Sequence, residues 1–149
     1  MANISNDIRT GFYNRLLTGT LFKATIVRMV GATTFYKLYY HLAPQAFPGT
    51  TTTVTPPYVV FDELPITQDR DTGSKYYTCT LQFLISSLAS ISECETIAGL
   101  ITDLLEDCER SLTIGTYLVI SILRGPQIKL PQVDRVFNMV VQYTVVLQQ

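Results

Sequence analysis

The chain has 149 residues, 47% of them apolar and only 15% charged, with a formal net charge of −1. Such a chain can bury a core without disulfide or metal staples; its apolar content excludes disorder, and no apolar run approaches the ~20 residues of a bilayer-spanning helix. The balance of charge leaves no basic footprint for nucleic acid, and a charge fraction below the ~25% of soluble domains points to surface covered by other chains.

The opening segment, MANISNDIRTGFYNRLL, lacks the apolar run of a signal peptide. Ile4, Ile8, Phe12 and Leu16 fall four apart, which predicts a helix from about Ser5 to Leu17. Asn3, Ser5 or Asn6 would cap it, with Asp7 in its first turn and Gly19 at its end. LFKATIVRMVG, stopped by Gly31, reads as a second helix or an irregular apolar segment. TTFYKLYYHL is rich in aromatics and predicts one strand, Thr34 to Leu42. The Pro/Thr-rich APQAFPGTTTTVTPP has no periodicity and reads as a loop. PYVVFDEL is a strand that begins after prolines.

DELPITQDRDTGSKYY then gathers six of the 23 charged residues into 16 positions. It reads as a hairpin loop and tip, with Asp71 and Gly73 supplying the reversal. From Tyr77 the alternation is clean: Tyr77, Cys79, Leu81, Phe83 and Ile85 face one way, Thr78, Thr80 and Gln82 the other. A helix follows, with Ser92 and Glu95 as its capping box. Its apolar stripe is Cys94, Ile97, Ala98, Ile101, Leu104, Leu105 and Cys108. Glu95, Asp103, Glu106 and Asp107 lie on the other face. TYLVISIL is a strand, RGPQIKLPQVD a loop with two prolines, and RVFNMVVQYTVVLQ a closing strand. In that strand Phe137, Met139, Val141, Tyr143, Val145 and Leu147 point inward.

The order α-β-β-β-α-β-β predicts one α+β domain spanning residues 1–149. It is a two-layer arrangement with a largely antiparallel or mixed sheet of four to five strands. The long amphipathic helix and the N-terminal helix cover one face.

Candidates for chemistry are few. His41, the single histidine, has no Asp or Cys partner at a recognisable spacing, and reads as a partly exposed strand residue. Cys79, Cys94 and Cys108 form no C-x-x-C pair and fall on apolar faces, so they read as reduced core thiols in a cytosolic setting. One histidine and three scattered cysteines supply no zinc set, and neither TGTLFK nor DTGSK has phosphate-loop spacing. No catalytic residue, cofactor or metal is expected. The tip charges Asp69, Arg70, Asp71 and Lys75 have two readings: a solvated loop, or a docking element that sets register with a partner.

PPYVVFDEL, YYTCTLQFLI, SISECETIAGLITDLLEDC, TYLVISIL and DRVFNMVVQYTVVLQQ follow one another in order. This layout, over roughly Phe35 to Gln149, resembles the tail-completion or tail-terminator proteins of long-tailed bacteriophages. The insert Ala43–Thr55 departs from that family's shorter connection. The resemblance implies a structural virion protein, assembled in the host cytoplasm, without catalysis or cofactor. It implies a homo-oligomeric ring, a hexamer, that caps the tail tube and presents the surface to which the head or neck joins. Membrane and sequence-specific nucleic acid are not expected partners. It also implies that the tip at Asp69, Arg70, Asp71 and Lys75 reaches toward the tube or the channel axis. The alternatives are a neck or head-closure subunit of similar size, and, in another class, a small ligand-binding or enzymatic α+β domain.

Overall fold

A computed structural model describes residues 3–71 and 73–149; the side chains of Arg70 and Asp71 lie outside what it describes. Three helices line one face of a mixed sheet. They are α1 (Ile4–Leu16), α2 (Thr20–Ile26) and α3 (Ile91–Leu105). The strands are β1 (Val27–Val30), β2 (Thr33–Tyr36), β3 (Leu38–Tyr40), β4 (Tyr58–Glu63), β5 (Thr67–Asp71), β6 (Ser74–Ser87), β7 (Leu118–Val133) and β8 (Val136–Gln148). The main sheet runs β3-β4-β6-β8-β7, with β5 also paired to β6. Among the described residues only the β3–β4 pair is parallel in this sheet. The chain is therefore the two-layer α+β fold that its patterning predicts, with six strands in the main sheet.

α1 forms as its spacing dictates: Ile8, Phe12 and Leu16 are fully buried, and the Asn3 side chain accepts from the Asn6 N–H. Gly19 does not close this helix. It is the N-cap of α2, with ordinary negative φ. The ambiguous LFKATIVRMVG is divided, its first half in α2 and its second in β1. β1 and β2 then form a two-stranded ribbon of their own, turned at Gly31, whose φ of +60° an L side chain rarely adopts.

The single strand predicted over Thr34–Leu42 is broken at Lys37. The Lys37 N–H donates to the Ile26 carbonyl beside the ribbon, while its carbonyl accepts from Val59 N–H in the main sheet. One residue thus serves two sheets. Its side chain is buried and donates through Nζ to the Thr55 carbonyl at 2.9 Å. Burial, together with the nearby Arg28 cation, lowers its pKa.

The charged segment after β4 is not a long loop. Leu64 N–H still donates to Thr80 O, and β5 then pairs with β6 from Thr67↔Thr78 to Asp71↔Ser74. What the sequence presents as a loop is the far end of a β-ribbon. Gly73, at φ +85°, occupies its turn.

α3 starts earlier than its expected capping box. Ser90, not Ser92, caps it, accepting from Glu93 N–H at 3.1 Å. The stripe survives the shift: Cys94, Ile97, Ala98, Ile101 and Leu105 are buried, and Cys108 is buried just beyond the helix. Beneath them lie Cys79, Leu81, Phe83 and Ile85 of β6 and Met139, Val141, Tyr143, Val145 and Leu147 of β8.

The proline-bearing loop RGPQIKLPQVD is instead the second half of β7. This 16-residue strand lies at the sheet edge. Its register shifts between Arg124 and Gln127 and between Leu130 and Val133, which contain Pro126 and Pro131. A proline cannot donate to a ladder but is tolerated on an edge or at a bulge. Asp134 and Arg135, both at positive φ, make the two-residue turn into β8.

The three thiols are free and buried. Desolvation pushes Cys79 up to about 11 and raises Cys94 and Cys108 as well. A thiol reagent should therefore label the native protein slowly at neutral pH and stoichiometrically only after denaturation. Fast native labelling would contradict these positions. Because the folded pKa exceeds the ordinary value of 9, the thiols favour folding below pH 9. That contribution is lost as pH rises through about 11.

Candidate assembly surfaces

Three surfaces stand apart from the core: the tip of the β5–β6 ribbon, the sheet face opposite the helices, and the β1–β2 ribbon with the β7 edge at the other side of the sheet.

The ribbon tip brings the predicted charges together along two strands. Arg70 pairs in register with Lys75, and Asp69 with Tyr76. Asp69 is exposed and Lys75 half-buried; Lys75 O accepts from Gln149 N–H, so the C-terminus is laid along the tip.

The outer face of the sheet is built by the alternate residues of β6 and β8. Thr78, Thr80, Gln82, Leu84 and Ser86 lie opposite Val146, Thr144, Gln142, Val140 and Asn138. None carries a charge. Gln142 Nε2 donates to Gln82 Oε1 at 3.1 Å, and Ser86 Oγ to Asn138 Oδ1 at 2.7 Å. These cross-strand bonds satisfy the amides within the face. At its β7 side stand the exposed Leu118, Leu123, Ile128 and Leu130. The β6–β8 centre of this face, with Asp62 of β4 beside Gln82 at one side and the apolar row at the other, is suited to burial against protein.

His41 lies just past β3 with φ 68°, and its Nδ1 is 2.9 Å from Asp62 Oδ2. The fold supplies a carboxylate partner that sequence spacing did not reveal, 21 residues downstream. The imidazole is 74% exposed and sits past the end of β3, not within a strand as the aromatic run suggests. Glu63 was not singled out by its sequence context either. The hydroxyls of Ser5 and Tyr40 both donate to its Oε1, and Arg9 lies 4.9 Å above the Tyr40 ring. Burial and the Glu63 contact raise the Tyr40 pKa to about 12. This cluster fastens α1 to β3 and β4. Among the described residues no group of three or more His, Cys, Asp or Glu is placed to hold a metal ion.

No protein-family model matches the sequence, and no curated protein matches it. Among solved structures, a chain of the virion of a native gene transfer agent particle matches this one. The match covers 100% of both chains at TM-score 0.75 and 10% sequence identity. That likeness shows a shared fold along the whole length.

Proposed function

We propose that this chain is a structural protein of a phage-like virion, a single-domain subunit that forms a ring, a hexamer, at the end of the tail. The ring caps the tail tube and offers the surface to which the head attaches. The observation that carries this reading is the end-to-end likeness of fold to a chain of a virion particle. The low charge of the chain and the charge-free β6–β8 centre of the outer sheet face support it, because a ring subunit loses surface on two flanks. In this reading the β5–β6 tip sets register against the tube or a neighbouring subunit through Asp69, Arg70, Asp71 and Lys75.

Neutralising all four charges tests the role of the tip. Surface substitutions of this kind change stability by about 0.5 kcal/mol or less, so thermal melting of the purified variant should be nearly unchanged. Particles from a phage carrying the variant should be defective in electron micrographs. Tails of abnormal length mark a terminator; tails of normal length that fail to join heads fit a neck or head-closure subunit. Normal tails attached to heads would return the tip to a solvated turn.

A further inference from the structure

The two flanks of the main sheet differ in charge and in shape. No Asp or Glu occurs between Asp7 and Asp62, a stretch that includes Arg9, Arg15, Lys23, Arg28 and Lys37. The β1–β2 ribbon belongs to this basic half and leaves the body at the β3 edge. Val27 and Met29, on one face of β1, are 40% and 55% exposed, and Arg28 points away between them. Among the described residues no carboxylate lies within ion-pair distance of Arg28.

The opposite flank carries the acidic run: from Glu93 to Glu109 there is no cation, and the cations that reach it are Arg15, which donates to Leu104 O, and Lys129, paired with Glu95. At the end of α3 a hollow opens between the helix and the β7 edge, lined by Glu106, Asp107, Glu109, Leu123 and Arg124 among others. Beside it Leu118, Ile120 and Leu123 are exposed on β7. This half of the edge precedes both prolines of the strand.

We infer that the β1–β2 ribbon of one copy docks on residues 118–124 of the next. The ribbon straddles that edge: Val27 and Met29 lie on its outer side beside Leu118 and Leu123, and Arg28, on the ribbon's other face, reaches the acidic hollow on the helix side. Each side supplies what the other lacks: exposed apolar residues on both, a cation without a partner on one, three carboxylates around a single arginine on the other. Side chains carry the contact rather than a continuous ladder, because Glu109 Oε1 already accepts from the Ile122 edge N–H at 3.3 Å. The ribbon leaves the body at the β3 edge and the docking site is the opposite, β7 edge, so the contact is heterologous. Repetition closes into a ring where the rotation permits and otherwise grows as a filament. The inference rests on the ring-subunit reading and adds the surfaces that join the ring.

Two single variants test it. Met29→Asp disables the ribbon and Leu123→Asp disables the edge; both positions are exposed, so each variant should melt like the parent. In sedimentation at up to millimolar concentration the parent chain should self-associate and each variant should remain a monomer. A mixture of the two should form dimers and nothing larger, since one intact ribbon meets one intact edge. Charge exchange gives a second readout: Arg28→Glu should abolish association, and a partner copy carrying Glu106→Arg and Asp107→Arg should restore it. A parent chain that stays monomeric at millimolar concentration overturns the inference, as does Met29→Asp that associates normally. Either result leaves the proposed virion role standing if the tip variant still gives defective particles.

Discussion

Ile101→Asp should leave no soluble, folded protein. Ile101 sits in the middle of the α3 stripe, fully buried against the sheet. An aspartate there brings a carboxylate into the apolar layer between α3 and strands β6 and β8. It must remain ionised without a partner or take up a proton, and either outcome is costly. The penalty exceeds about 4 kcal/mol, a large part of the 5–15 kcal/mol that holds a typical domain together. Circular dichroism and melting of any soluble fraction provide the check. An unchanged melting temperature would mean that α3 does not lie on the sheet.

Phe83→Ala should be the next most damaging change. The Phe83 ring stacks on Phe61 at 5.8 Å and meets Tyr143 edge-on at 5.7 Å, so three strands share one aromatic row. Phe83 is fully buried on β6, the strand flanked by β4 and β8. Truncation removes the transfer free energy of the ring and leaves a cavity lined by stiff neighbours, a loss of about 3–5 kcal/mol. The variant should fold, with a denaturant midpoint far below that of the parent and a similar m-value. A loss under 1 kcal/mol would show that the row collapses around the gap.

Periodic burial made much of this fold legible. The stripe of α3 and the alternation of β6 and β8 each bury one face against the other layer, so the residue pattern and the packing are the same fact. What escaped had a different cause in each place. Pro126 and Pro131 signalled a loop because the breaker rule assumes a strand paired on both sides, and β7 is paired on one. Lys37 looked like an interior strand residue, yet it divides its hydrogen bonds between two sheets, which only long-range contacts can reveal. The charged loop became a β-ribbon because β6 runs past β4 and recruits β5 as a new partner. At the tip the charges are legible in the sequence, but the register that sets Arg70 across from Lys75 is not. The β7 edge and the acidic hollow come from residues distant in the chain, and no local pattern announces them.

The division of backbone bonds at Lys37 also has a kinetic consequence. The ribbon of β1 and β2 shares no ladder with the main sheet; Lys37 N–H to Ile26 O and the Phe35–Phe47 ring contact at 5.0 Å hold its base. A two-stranded ribbon on its own is marginal in water. Its amides can open without disturbing the core, whereas those in the centre of β6 and β8 must wait for global unfolding. In deuterium exchange, Val27–Val30 and Thr33–Tyr36 should exchange well ahead of the central strands in the free chain. The protein thus carries two levels of cooperativity, a slow-exchanging sheet and a fast-exchanging appendage, and whatever covers the appendage should slow its exchange first.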